Sequence, residues 1–405
     1  MRKYWPNKIS LKKLLSTLFM LVPQISIFFL FRSVFLDQIL LTASISQNWI
    51  LSCKGIYLIS LALFALFGSY SAQKIKRKNF FVISLLYRVL ASVSIMFFQY
   101  GLSIFLPSFL LGSSYGFGFP SDQSFLADNT EEEERGRVAG ITLCISFITL
   151  IILLMITSSY EFSILQNMFV IVTLQIASLG VLLTNSSWDV PSRSQISIKN
   201  ISNNKVFILY LIPWILFSFA NGAGLFLANM VEYSEASGLA TIIQYISSSI
   251  FFVVAGVIAD YYGRKPTLLM GFVTLGLTYS LVPYMNNSMV DVLSSLFTGA
   301  AWSFIMVSFL FTIVGDISLE GYREIFFAIN GTLWMVIETS LAFVANVISI
   351  PIPVNIISSL LSVSMFLSVI PLLYAPETLP SSKIVDRRIS NYLQKVLKIL
   401  EVKEE

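Results

Sequence analysis

Histidine is absent from all 405 residues, and charged side chains make up only 12% of the chain. The first absence removes the commonest metal ligand and the usual near-neutral proton carrier, so any proton chemistry falls to carboxylates. The second is about half the share of a soluble domain and argues for a lipid environment. Cysteine is nearly missing too: Cys53 and Cys144 both lie inside apolar runs, with no CxxC spacing. That excludes a disulfide framework and leaves no metal site to read. No GxxxxGK[ST] loop is present, so energy has to come from a solute or ion gradient rather than a nucleotide. Neither HExxH nor a His/Asp set is available for a membrane-embedded enzyme, and the reading is that the chain is no enzyme and takes no cofactor. The short alternating segments of a β-barrel are missing as well.

What the chain has is apolar length. Hydrophobic residues reach 56%, and the mean hydropathy is +0.79. A helix needs roughly 20 apolar residues to cross a bilayer core. About twelve such runs stand near 14–36, 49–71, 79–99, 102–126, 138–158, 163–184, 206–229, 237–259, 267–285, 291–314, 325–347 and 354–374. The chain reads as an all-α membrane protein with twelve transmembrane helices. The basic start, Met1 to Lys13, resembles a signal peptide only superficially, because the run that follows is too long. It reads as the first span.

Cations fix the orientation, since Lys and Arg in short loops resist translocation. All but three of the 26 Lys and Arg fall in segments that are cytoplasmic if the N-terminus is inside. Loops on the other side carry Asp37, Glu161, Glu232 and Glu235 instead. Both termini are therefore expected in the cytoplasm, in a multi-pass protein of the plasma membrane.

The two halves repeat. Gly256, Asp260, Gly263, Arg264 and Lys265 follow Gly68, Ala72, Ile75, Lys76 and Arg77 at one offset of 188 residues. The same shift lays Asp316 and Arg323 over Asp128 and Arg135. A register kept over half the chain indicates a duplicated unit. The expected division is a six-helix bundle over 1–184, a cytoplasmic linker over 185–205 rich in Ser and Asn, a second six-helix bundle over 206–374, and a tail over 375–405. In the tail Ile389, Tyr392, Leu393, Val396, Leu397 and Leu400 recur at helical spacing among Arg387, Arg388, Lys395 and Lys398. That pattern fits an amphipathic helix on an anionic leaflet, or a solvated, partly helical tail.

Gly256 to Lys265 spells G-x-x-x-D-x-x-G-R-K, and with twelve spans and the repeat the chain resembles the major facilitator superfamily. The resemblance implies two pseudo-symmetric six-helix bundles that rock about a central site, and a cytoplasmic latch broken as they rock. Gate residues under this reading are Gly256, Asp260, Gly263, Arg264, Lys265, Asp316 and Arg323, with Gly68, Lys76, Arg77, Asp128 and Arg135 in the first half. Asp260 can accept hydrogen bonds from a neighbouring helix N-terminus. Asp316 is the candidate partner of Arg264, and Asp128 that of Lys76 or Arg77. Because Ala72 and Ile75 depart from the motif, the latch is expected to be asymmetric and to rest on the second-half loop. The acidic run Glu131–Glu134 reads as a solvated face.

Five ionisable residues fall at bilayer depth, where each costs roughly 2.5–3.5 kcal/mol to insert. Arg32 and Lys54 either snorkel to the interface or place cations in the mouth of a cavity. Arg88 and Asp122, on sequence-adjacent spans, make a plausible ion pair, with Asp122 alternatively facing substrate. Glu338 has no cation at its depth in the second half. A carboxyl buried without a partner favours its protonated form, so Glu338 is expected as the coupling or substrate-sensing acid. Gln24 beside Pro23, Asn221 beside Gly222 and Gly224, and Gln244 fill out the candidate cavity.

The function read from this is secondary active transport of a small solute by alternating access, proton-coupled, with an organic anion, metabolite or drug-like compound as substrate. The expected partners are that solute, H+ and the lipid bilayer, with no nucleic acid, in a monomer. The span-four pattern R-x-x-x-G, which the family associates with proton-driven antiport, is not met, because Ser108 stands where its arginine would. A non-transporting sensor or scaffold on the same fold is the alternative, kept open by the degenerate first-half loop.

Overall fold

A computed structural model describes residues 11–32, 36–43, 45–98, 100–158, 163–184, 204–230, 236–284, 288–318, 322–347 and 353–380. The 185–203 stretch of the linker and the amphipathic tail pattern lie outside the described residues. Each apolar run is helical: α1 (Leu11–Leu30), α2 (Gln47–Lys74), α3 (Arg77–Phe97), α4 (Phe105–Asn129), α5 (Arg135–Ser158) and α6 (Ile164–Thr184). The second set is α7 (Lys205–Met230), α8 (Ala236–Tyr261), α9 (Arg264–Leu281), α10 (Ser288–Met306), α11 (Arg323–Val347) and α12 (Val354–Tyr374). Ten helices are long and apolar enough to cross a membrane among the described residues. The other two are α1, apolar over Leu14–Leu30, and α11, which carries Arg323, Glu324 and Glu338.

The packing repeats with the sequence. Helix α2 lies along α4, α1 along α5 and α6, and α3 along α4 and α6. Each pair has its twin six helices later: α8 with α10, α7 with α11 and α12, and α9 with α10 and α12. The seam between bundles follows the same rule, with α5 on α8 matched by α2 on α11. Small residues set its closest approach. A Cβ added to Gly256 on α8 would collide with the Gly136 carbonyl on α5, and one on Gly140 would meet the Phe252 carbonyl. With little hydrophobic drive between helices in lipid, such backbone contact is a main source of association. Gly68 serves a contact inside its own bundle, against Phe117 of α4.

Helix α10 does not end at Met306 but runs through a π-helical segment, Val307–Thr312, into a last turn at Ile313–Ile317. A π segment disturbs the regular ladder and leaves carbonyls for side chains. Gln123 of α4 donates to the Leu310 carbonyl at 3.0 Å, across the seam. Asn330 of α11 donates to the Phe309 carbonyl at 3.3 Å.

Candidate functional site

The two duplicated loops sit at one end of the molecule. The second turns tightly: Gly263 adopts φ +117°, in the region that favours glycine, just before α9 begins. The first loop lacks that glycine. Ile75 is extended at φ −105°, and α3 begins at Arg77 rather than at Lys76, one residue later in the repeat frame. The shift decides which cation matters. Arg77 pairs with Asp128 at 2.6 Å, as Arg264 pairs with Asp316 at 3.0 Å. Lys76 stays exposed.

Across the seam the pairs are exchanged. Arg135 at the start of α5 bonds Asp316 of the second bundle, and Arg323 at the start of α11 bonds Asp128 of the first. Each aspartate thus joins one arginine from its own bundle to one from the other. Asp260 adds a third link: its carboxylate accepts the backbone N–H of Gly136 at 2.9 Å and that of Arg137 at 2.8 Å. Arg137 Nε adds a bond at 3.0 Å and Arg264 Nη1 one at 2.6 Å. The carboxylate therefore caps the N-terminus of α5, where unpaired N–H groups and the helix dipole both favour an anion.

The expected asymmetry is corrected in part. The exchanged ion pairs are two-sided, because Arg77 does in the first loop what Arg264 does in the second. Only the helix cap is one-sided, since Ala72 has no carboxylate to offer α11. The acidic run is not a plain solvated face either. Glu134 is buried, and the Glu132 and Glu133 carbonyls accept from Arg264 and Arg137. Lys265 reaches the carbonyls of Leu373 and Ala375 at 2.9 and 3.0 Å. Glu377, which sequence reasoning missed, accepts the N–H groups of Arg264 and Lys265 at 2.8 and 3.1 Å. The signal was there in principle: an acid three residues after α12 facing the bare start of α9.

A second cross-bundle contact lies far from the loops. Glu338 is fifteen residues beyond Arg323, roughly 22 Å along α11 at 1.5 Å per residue. Arg32, just past the end of α1, is ion-paired with it. The guanidinium also lies over the Trp334 ring, 4.4 Å from its centroid, with the Met335 sulfur at 3.6 Å. Asn221 of α7 donates to the same carboxylate at 3.4 Å. Gly222 allows α7 to pass close to Glu338 and Leu341 of α11. One expectation is corrected here: Glu338 is not without a partner, because the opposite bundle supplies its cation. Of the two readings left open for Arg32, the structure has it turned into the seam between the bundles. The Arg32 and Glu338 side chains keep 15% and 13% of their exposure.

The remaining polar residues separate from this pair. Lys54 is salt-bridged to Asp37 at 2.6 Å on a well-exposed rim. Arg88 and Asp122 pair at 2.7 Å with almost no exposure, inside the first bundle. Gln24 points there too, its carbonyl accepting from Arg88 at 3.0 Å, so these three do not meet Glu338. Gln244 belongs to the α8–α10 contact, where its backbone carbonyl faces Gly299. Among the described residues no group of His, Cys, Asp and Glu could hold a metal ion.

Comparison with known proteins agrees with this fold. No curated protein sequence matches the chain. Its fold is similar to the crystal structure of the human organic anion transporter MFSD10 (TETRAN), with TM-score 0.72 at 10% identity, covering 89% of this chain and 99% of that one. It is also similar to the proton:xylose symporter XylE bound to 6-bromo-6-deoxy-D-glucose, with TM-score 0.66 at 14% identity over 90% and 94%. The family model of the Major Facilitator Superfamily matches residues 14–337. The chain is a multi-pass membrane protein of the Major Facilitator Superfamily, a family of transporters.

Proposed function

We propose that this protein is a proton-coupled secondary transporter that moves a small organic anion across the plasma membrane by rocking its two bundles. The observation that carries the reading is the exchange of partners between Arg135–Asp316 and Arg323–Asp128. Such pairs form only when the two loop ends meet. They give the closed state a set of charge-assisted bonds that can be broken and remade. Asp260, capping α5, and Arg264, bridging Asp260 and Asp316, make the cytoplasmic latch. Residues 1–184 and 206–374 are the rocking units, joined by the 185–205 linker.

The solute binds between the bundles beside Arg32, Asn221, Trp334 and Glu338, and Glu338 carries the coupling proton. Support for an anion is the cation that this region offers. A neighbour of the same fold is an organic anion transporter and another is a proton symporter, which makes both halves of the reading reasonable for the architecture. The test is flux in proteoliposomes under an imposed pH gradient. Wild type should accumulate an organic anion against its gradient, and Glu338→Gln should not respond to pH. Binding without movement in any gradient would favour a sensor instead.

A further inference from the structure

We infer that Glu338 is a built-in stand-in for the substrate: an organic carboxylate replaces it on Arg32, and Glu338 takes up one proton as it lets go. This rests on the transport reading and names the substrate class and the coupling step of that same site.

The first ground is the donor set. Besides Arg32, the surroundings hold Asn221, whose Nδ2 already donates to Glu338. Tyr57, on α2 packed along α11, is buried, with a hydroxyl that has no hydrogen-bond partner among the described residues. Trp334, whose ring the guanidinium covers, has an indole N–H that is likewise buried and without an acceptor among the described residues. Donors thus outnumber acceptors around one carboxylate. A buried donor left unmatched costs about 1–3 kcal/mol, and a ligand rich in acceptor oxygens removes that cost.

The second ground is charge balance. Arg32 and Glu338 together are neutral. A carboxylate added to them would leave one net negative charge in a largely dehydrated seam, where the effective penalty per unpaired ion is several kcal/mol. Taking a proton from solvent onto a Glu338 oxygen cancels it. The substrate carboxylate then holds the Arg32 fork, and the neutral Glu338 hydroxyl can donate a hydrogen bond to it. Before and after, the site carries zero net charge, so one monocarboxylate and one proton move together. Groups bonded to Glu338 from its packing neighbours are Arg32 past α1 and Asn221 from α7, and α2, which packs along α11, carries Tyr57. Helix α4, also packed on α11, commits Asp122 to Arg88 and Asp128 to Arg77 and Arg323. Within α11, Arg323 and Glu324 lie at the far loop end.

The third ground is the wall. Trp334 packs against Trp214 and Trp302, with ring centroids 5.9 and 6.3 Å apart, and Trp302 against Phe217 at 5.1 Å. Aromatic rings beside the cation suit a flat, apolar body on the carboxylate.

The test uses purified full-length protein in weakly buffered detergent solution with a pH dye, the probe 1-naphthoate and its neutral amide as control. Tryptophan quenching reports binding. The expected result is close to one proton taken up per naphthoate bound, and affinity that weakens as pH rises. Arg32→Gln should bind at least about tenfold more weakly, the loss of one charged hydrogen bond. Glu338→Gln should bind naphthoate with no proton uptake. Naphthoate binding in wild type without proton uptake overturns the inference, needing no variant to fold. So does equal binding of the amide, or no binding of naphthoate. Flux of the same probe in proteoliposomes keeps the two readings apart. Linked proton uptake without flux overturns transport and leaves this site standing. Flux without linked uptake does the reverse.

Discussion

Arg135 and Arg323 stand 188 residues apart, and each closes its ion pair on the aspartate that belongs to the other's repeat. Residue i of one bundle meets residue j of the other, and j meets i, as at any two-fold contact. The duplicated sequence has therefore produced a self-complementary seam at the loop end. The Arg135–Asp316 pair is almost surrounded, its side chains keeping 2% and 1% of their exposure, while Asp128 in the matching pair keeps 14%.

Because of that burial, single charge removals there should be costly and charge exchanges less so. Removing one partner of a buried pair costs about 3–5 kcal/mol. Arg135→Asp is expected to abolish flux and lower the unfolding temperature. Adding Asp316→Arg should recover part of both, measured as the coupling in a double-mutant cycle. No recovery in the double variant would indicate that the two side chains act separately.

Asp260 makes four of the bonds at this end. Asp260→Asn keeps the size but removes the charge and one of the two accepting oxygens, which weakens the cap on α5. The loop end should then open more often. Modification of a single cysteine placed at Ala127, buried where α4 meets Gly315 across the seam, by a membrane-impermeant reagent added on the loop side should speed up severalfold. An unchanged rate would contradict the capping role.

Much of this was readable from residue patterns, for a physical reason. Apolar runs of about 20 residues can do little else than span a bilayer, so the helices followed directly. Arg264 and Asp316 could be matched because the repeat fixes both positions, and Arg88 and Asp122 because their helices adjoin. The Arg32–Glu338 pair was not readable. Its members are 306 residues apart on helices that are neither symmetry mates nor neighbours in sequence, and only the meeting of the bundles joins them. The choice of Arg77 over Lys76 was hidden as well. It depends on where a loop without Gly263's backbone freedom starts its next helix.

Arg88 and Asp122 should behave as a structural pair. Either Arg88→Met or Asp122→Leu leaves an unpaired charge inside the first bundle, and thermal unfolding should show a loss of about 3–5 kcal/mol. The double variant should unfold near the wild-type temperature and retain proton-linked binding. If the double variant is stable but loses that linkage, the pair belongs to the coupling path.

Gly256→Leu should act on closure rather than on binding. A side chain there collides with the Gly136 backbone, which cannot give way as a flexible side chain can. Naphthoate binding should persist while flux falls at least about tenfold, a barrier increase of roughly 1.4 kcal/mol or more.

The most direct measurement of a seam that opens and closes is the distance between spin labels at Lys76 and Tyr262. Both residues are exposed at the loop end, on opposite bundles and outside the ion pairs. Two distance populations in wild-type protein, with the longer one enriched by Asp260→Asn and by Asp128→Asn, are the predicted result. A single distance, identical in wild type and both variants, would contradict the account.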